Sequence, residues 1–457
     1  MSIIIPANSA VAGGYDVDNS VRFNNSEYLQ RTNGTATDDK KYSLSFWVKR
    51  SKLGEDDRIF NNQYDGSNWG YLMFKSDNTI RIADRQAGTD RIDWITTQVF
   101  RDISAWYHFY LAIDTTQGTA DNRVKFYVNG TQVTSFTKNA SPSLNNALGF
   151  QQATATNLAR IATADGGGNL FSGYMSEIVF IDGTQNAVTD FGEFDEDSGI
   201  FKPIDVSGLT FGDNGYYLNF QDSAELGTDV SGESNTYTEV NLTAIDQTTD
   251  TCTNNFATGN ILSPYANRTI SDGNLTITST TTQWTNICST IGVSSGKWWI
   301  ELKHTAGSYG GFGIVSPFPQ TENNVIGDFS APVVQQIGYV AASGDKKINN
   351  STSSYGSTWV GTGDIVNMSL NLDDNELKFY KNGTVQDSGT AIAISSGYTY
   401  FVGTSNYNSS GSSFNFGSPA FAISSGNTDG NGYGNFEYAP PSGFLSLCTA
   451  NLSEVLG

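Results

Sequence analysis

Trp106-Tyr-His-Phe-Tyr-Leu-Ala-Ile-Asp114 and, a little further on, Lys125-Phe-Tyr-Val-Asn-Gly-Thr131 decide the fold class of this chain. In the first stretch side chains alternate in period two over a run too short and too aromatic for a helix, which predicts a strand. In the second, Asn129-Gly130 supplies the positive φ angles of a type I′ turn, so the segment predicts a hairpin whose register the aromatic alternation pins. The second motif returns as Lys378-Phe-Tyr-Lys-Asn-Gly-Thr384, identical at six of seven positions. Each copy follows an apolar strand pattern ending in Asp, Ile113-Asp114 and Leu372-Asp373. A shared architecture in the two halves is the expectation.

Working outward, Tyr42–Lys49, Trp69–Lys75 and Thr79–Asp84 also read as strands. They are separated by turn clusters such as Asp65-Gly-Ser-Asn68 and Asp121-Asn122. Thr189 is placed to cap a single helical turn, Thr189–Phe194. Residues 221–260 are polar and acidic, and predict a linker ordered in part through Tyr237, Val240 and Leu242. Strand patterns then resume at Leu275–Thr278, Lys297–Lys303, Gly311–Val315, Val366–Leu372, Glu376–Tyr380 and Thr399–Val402. The prediction is an all-β chain: two tandem β-sandwich domains, 1–220 and 261–457, joined by 221–260.

The 457 residues carry 25 Lys+Arg against 46 Asp+Glu, a net charge of −21, with charged residues at only 16%. Acidity that comes from missing Lys and Arg removes the electrostatic footprint of a nucleic-acid binder or a polybasic membrane-surface protein. Aromatics at 12% argue for a packed core rather than disorder. No apolar run approaches the ~18 residues of a spanning helix. The first residues show neither a basic n-region nor an apolar h-region, so the reading is folding in the cytoplasm without a secretion signal. Ile3, Ile4 and Ile5 form a short apolar tip, read as a first edge strand on its own sheet or as an anchor on a partner. Cys252, Cys288 and Cys448 make neither a disulfide framework nor a zinc ribbon.

Ser104–Asp114 with Val124–Gly130, preceded by Ser20-Val-Arg-Phe-Asn24 and Tyr42–Val48 and closed by Gly173-Tyr-Met-Ser-Glu-Ile-Val-Phe-Ile-Asp182, resembles laminin-G-like, concanavalin A-like sandwiches over about residues 15–220. The second half resembles a SPRY domain through Ser295–Glu301, Gly311–Ile314, Gly363–Asp373, Leu377–Gly383, Phe414-Asn-Phe-Gly417 and Pro440-Pro-Ser-Gly-Phe444. The two in this order are similar to surface proteins of marine bacteriophage particles. The resemblance implies a non-enzymatic structural protein on the virion surface, made in the host cytoplasm. Its implied type is a tail fibre or adhesin binding a host glycan or protein, or else a capsid decoration or head fibre anchored by its N-terminus. By the same analogy it implies other virion proteins as partners and a trimer. Laminin-G-like domains often hold calcium, for which Asp65–Asn68 and Asp213-Asn214 offer oxygens. The same residues are what turns require, and no cofactor is predicted.

Because concanavalin-like folds include glycanases, an acid pair facing one cleft is the chemistry to look for. Glu193, Asp195 and Asp197 alternate correctly but lie in an acidic, Gly-flanked stretch, so they predict a solvated loop and no catalytic residue. His108 and His304 lie within or at the end of strands, without a nucleophile elbow or metal-ligand spacing. Sugar recognition needs aromatic surfaces beside amides and carboxylates. Tyr64, Asp65, Asn68 and Trp69 have that composition in a predicted loop. Tyr309 and Tyr355, with Phe318, Tyr407 and Tyr433, sit in Gly/Ser-rich connections and are the candidates of the second half.

Overall fold

The computed structural model describes residues 14–152, 158–263, 267–317, 323–330 and 334–456. Ile3, Ile4, Ile5 and Phe318 lie outside the described residues. The regular structure of the described chain is almost entirely antiparallel β-strand, with short 3-10 turns and one helix, Thr449–Leu456. It divides into two units, 14–253 and 254–456.

In the first unit, one sheet runs in the order Thr131–Gln132, Val124–Val128, Tyr107–Asp114, Lys41–Arg50, Gly173–Asp182, Ser20–Phe23, Gln247–Thr248, with Tyr216–Leu218 also on Gly173–Asp182. The other runs Phe136–Ala140, Thr89–Thr96, Ile80–Gln86, Asn68–Phe74, Asp57–Asp65, Ala159–Ile161, Tyr28–Arg31, Thr238–Val240. Phe46, Phe109, Leu111 and Met175 of the first sheet share one core with Phe60, Leu72, Phe74 and Ile82 of the second. The first sheet is buried on its other face too, where Tyr110 and Val179 meet Phe191, Val206 and Phe211, and Trp47 and Trp106 meet Phe201 and Cys252. That double burial is why Tyr107–Asp114 is apolar and aromatic on both sides of its alternation.

The segment expected as a linker is built into this unit as far as Thr253. Thr238–Val240 pairs with Tyr28–Arg31, and Gln247–Thr248 pairs with Ser20–Phe23. Tyr237, 3% exposed, and Tyr216 flank the Arg31 guanidinium at 5.3 and 5.2 Å. Asp250 accepts from Lys49 Nζ at 2.8 Å and from Trp106 Nε1 at 3.2 Å, all three side chains buried. The physical reason is that strands of two or three residues in a polar segment carry too little alternation to be read, yet bury their few apolar members fully. Thr189 does not cap a helical turn. It lies inside the 3-10 turn Val188–Asp190, where the Asp190 carboxylate accepts from Ala187 N–H at 3.1 Å.

The second unit has one sheet in the order Arg268–Ser271, Thr276–Ser279, Gly411–Asn415, Lys297–Ala306, Ile365–Asn371, Glu376–Lys381, Thr384–Val385, with Ile392–Ala393 on Glu376–Lys381. The facing sheet runs Thr285–Val293, Tyr400–Asn406, Gly311–Ser316, Gln335–Val340, Asp345–Ile348, Ser351–Ser354. Trp298, Ile300, Leu302 and Phe379 pack there against Phe312, Ile314, Ile337 and Tyr339. The repeated motif forms the same device in both units. Asn129 and Gly130 have φ of 47° and 75°, and Asn382 and Gly383 the same two values. The Asn129 carboxamide accepts from His108 N–H and that of Asn382 from Ile365 N–H, each at 2.8 Å, so both turns clamp the neighbouring strand.

Buried carboxyls give the chain a pH signature. Asp84 accepts from Gly149 N–H and Phe150 N–H at 2.9 and 2.8 Å, yet complete burial pushes its carboxyl up to about 7. Glu177 sits in left-handed backbone, φ 48°, inside the bulge of Gly173–Asp182. It accepts from Tyr217 and Tyr15 hydroxyls at 2.5 and 3.3 Å, and burial again lifts it to about 7. Unfolded carboxyls release their protons near pH ~4. Between there and about 7 these carboxyls, with Asp57 and Glu301 raised by burial to about 6 and about 7, bind more protons in the folded state. His108, lowered to about 3, works in the opposite sense but is one group against four, so stability falls as pH rises through that window. Asp77, held at about 2 first by Thr79 and then by Lys75, is ionised across the window and adds little slope. Thermal unfolding should accordingly show a higher midpoint at mildly acidic than at mildly alkaline pH, with Asp84→Asn flattening the slope; a midpoint rising steadily with pH would contradict this.

Candidate functional site

The second sheet of the first unit carries the site on the face turned away from the core. Phe60 pairs with Leu72 on the core side, so the next pair, Asn61 and Tyr71, faces outward. Register then places Arg58 and Arg81 beside Met73, Ala83 beside Tyr71, and Gln63 and Arg85 beside Trp69. Trp69 and Tyr71 stack with centroids 5.2 Å apart and planes 16° from parallel. The Arg58 guanidinium lies 3.5 Å from the centroid of Tyr71, and that of Arg85 lies 5.4 Å from the centroid of Trp69. Both rings are half-buried. Cation and stacked ring hold each other in place here, which fixes an aromatic ridge on the sheet.

The Asp65–Asn68 turn closes the end of this ridge. Asp65 Oδ1 accepts from Ser67 N–H at 2.7 Å and from Asn68 Nδ2 at 2.9 Å, and Asn68 Oδ1 accepts from Ala87 N–H at 2.9 Å. Tyr64, 40% exposed, precedes it at a bulge. The structure thus brings Tyr64, Asp65, Asn68 and Trp69 to one hairpin end. Of the oxygens considered for calcium, Asp65 Oδ1 and Asn68 Oδ1 thus accept at the hairpin end, and Asn214 Oδ1 accepts from Gly34 N–H at 2.8 Å. No three Asp, Glu, His or Cys side chains converge on a point among the described residues.

Charges surround the ridge in pairs. Arg81 binds Asp93 through two nitrogens at 3.0 Å each, with Lys138 on the same carboxylate. Arg85 Nε donates to Asp90 at 2.6 Å, and Arg160, opposite Asn61, pairs with Asp165. Beside Asn61 a cavity of about 10 Å³, room for one water molecule, is lined by Asn62, Gln151, Phe150 and Arg160. Sequence reasoning stopped at Trp69 and missed Tyr71, Arg58, Asn61, Arg81 and Arg85. The readable signal was the alternation Trp69, Tyr71 and Arg81, Arg85, which puts like positions on one face of adjacent strands.

Elsewhere the candidates separate. Tyr355 is removed from the site: it is 6% exposed, its ring packs on Tyr339 and Phe379, and its hydroxyl oxygen accepts from Phe379 N–H at 3.1 Å. The Gly/Ser-rich sequence around it covers a core position. Tyr309, 39% exposed, meets Tyr407 edge-on at 5.1 Å, and Tyr407 meets Trp284 at 5.3 Å. Tyr433 is exposed. Glu193 lies on the strand Gly192–Phe194, where a loop was expected, paired to Phe201–Pro203. Asp195 Oδ1 accepts from Ser198 N–H at 2.8 Å, and Lys202 pairs with Glu193 and Asp195 at 3.4 and 3.5 Å. Burial lowers the His108 imidazole to about 3, with Nε2 2.8 Å from Ser45 Oγ. All three cysteines are free and buried.

Comparison with known proteins bears on the unit that holds the ridge. Residues 23–187 match the family Laminin_G_3, of the concanavalin A-like lectin/glucanases superfamily. No curated protein matches the chain. Similar solved structures include the SPRY domain of human HERC1, 14% identical over 33% of this chain and 93% of that one, TM-score 0.28. A heptameric SAP-like pentraxin from Limulus polyphemus is 17% identical over 36% and 77%, TM-score 0.26. A protein from Bacteroides ovatus proposed to bind carbohydrate is 14% identical over 50% of this chain and 58% of that one, TM-score 0.34. Over residues 23–187, then, this chain is similar to the Laminin_G_3 family and through it to the concanavalin A-like superfamily.

Proposed function

We propose that the chain is a non-enzymatic binding protein that holds a surface glycan on the Trp69–Tyr71 ridge. The observation that carries this reading is the stacked pair itself, ordered by flanking guanidiniums on an outward sheet face and ending at the Tyr64–Asn68 turn. An aromatic surface beside Asn and Gln side chains suits the apolar face and the hydroxyls of a sugar. The match of residues 23–187 to a superfamily of lectins and glucanases supports it. Against a glycanase stand Glu193 and Asp195, whose carboxylates are engaged by Lys202 and by the Ser198 turn. Display on a bacteriophage particle, as tail fibre, adhesin or head fibre, is proposed from the order of the two sequence resemblances, and the net charge of −21 suits a soluble particle surface.

The test is a glycan array with the purified chain, with release of reducing ends followed in parallel. Trp69→Ala should weaken binding roughly tenfold or more, in line with one lost aromatic contact of about 1.5 kcal/mol, and lower the melting temperature by only a few degrees, for the lost stack on Tyr71 and contact with Arg85. Retained affinity in that variant would remove the ridge from the reading, and steady turnover by the parent chain would replace a binding protein with an enzyme.

A further inference from the structure

We infer that the glycan received by this face is acidic, and that Arg58 and Asn61 take its carboxylate or sulfate group. The inference rests on the glycan reading above and adds the class of sugar.

Arg58 differs from the other cations of the face. Arg81 and Lys138 share Asp93, Arg85 has Asp90 and Arg160 has Asp165, whereas no carboxylate among the described residues comes within 4 Å of Arg58. Of the two acids just before it in sequence, Asp57 is paired with Arg50, and Asp56 is exposed, accepts from Ser76 N–H at 2.7 Å and acts on Arg58 only from beyond ion-pair distance. The Arg58 guanidinium is half-buried on Tyr71, its Nε has no acceptor, and its Nη1 reaches only Asn61 Oδ1, at 3.4 Å. Burial lowers its pKa to about 10, which leaves it charged at neutral pH.

Asn61 supplies the independent second observation. It is 3% exposed, its Oδ1 is turned toward Arg58, and its Nδ2 has no acceptor. That orientation is dictated, because exchanging the two amide atoms would set two donors against each other. A cation without a carboxylate in ion-pair distance and an amide N–H without an acceptor, side by side, suit an acceptor that carries negative charge. The surroundings agree: five of the chain's 25 basic side chains, Arg58, Arg81, Arg85, Lys138 and Arg160, gather on this face of a molecule with net charge −21. A neutral sugar would leave the Arg58 charge unanswered.

The full chain should be titrated with oligogalacturonate, its methyl ester, a sulfated galactan oligosaccharide and the same galactan without sulfate. At least one acidic probe should bind roughly ten- to hundredfold more tightly than its neutral counterpart, as hydrogen bonds to charged groups allow. Arg58→Gln should erase that preference, and Arg58→Lys should keep part of it. The preference should also shrink as salt is raised, a measurement on the parent chain that stands even if Arg58→Gln fails to fold. Equal binding of acidic and neutral partners, or an Arg58→Gln variant of parental stability that keeps the preference, overturns the inference while Trp69-dependent binding keeps the glycan reading. If no probe and no array glycan binds, the glycan reading falls and takes this inference with it. If acidic probes bind but Trp69→Ala leaves them untouched, the anion is held elsewhere, and both are overturned.

Discussion

Asp250→Ala should cost the first unit about 3–5 kcal/mol, the range for removing one partner of a buried ion pair. The variant leaves Lys49, 1% exposed, without its carboxylate and takes the acceptor from Trp106 Nε1. Asp250 stands three residues from the end of this unit, so the substitution tests whether 221–253 closes it. Denaturant unfolding of the full chain should show the transition of 14–253 shifted and that of 254–456 in place. A matched pair of truncations sharpens the point: residues 14–253 should give a cooperative transition, whereas 14–220 should lack one. A folded 14–220 would return 221–253 to the role of a linker.

Glu301→Gln should cost the second unit about 2–4 kcal/mol, since it leaves about two buried N–H groups without acceptors. Glu301 is fully buried and receives four donors: Asn367 Nδ2 at 3.0 Å, Asn415 Nδ2 at 2.9 Å, Tyr438 N–H at 2.9 Å and Glu437 N–H at 3.1 Å. Glutamine keeps the shape but offers one acceptor oxygen and turns an NH₂ group toward N–H donors. The damage should concentrate where the carboxylate ties residues 437 and 438 to the sheet. Amide exchange of Glu437 and Tyr438 should rise before that of Ile300 or Leu302. Uniform exchange across the unit, or unchanged stability, would show that the four bonds are replaceable by water.

Glu301 also shows why part of the fold was hidden in the sequence. In Lys297-Trp-Trp-Ile-Glu-Leu-Lys303 alternation sends Trp298, Ile300 and Leu302 to the core and the others to the opposite face, so Glu301 reads as solvated. Nothing local reveals that residues 437 and 438, far along the chain, cover that face. The hairpins at Asn129-Gly130 and Asn382-Gly383 were legible because a type I′ turn is a local matter of φ. The strand Asp57–Asp65 was missed: Asn61 and Asn62 are both buried, and bulges after Arg58 and Gln63 break the alternation. The site divides the same way. The Tyr64–Trp69 turn announced itself by composition, while Arg58 and Arg81 reach Tyr71 only through cross-strand register. Tyr355 misled because loop-like composition says nothing of what the loop folds back upon.

The pairing of Ser20–Phe23 sets a timetable for synthesis. One of its neighbours ends at Asp182, the other begins only at Gln247. At roughly 5–20 residues per second, the emerging chain holds that strand with one edge open for some seconds after its first partner has been made. During that interval Val21 and Phe23 belong to an unfinished sheet, and unpaired edges of this kind attract other chains. Until Gln247 and Thr248 leave the ribosome, crowding of nascent copies on one messenger gives that open edge its chance to pair with another chain.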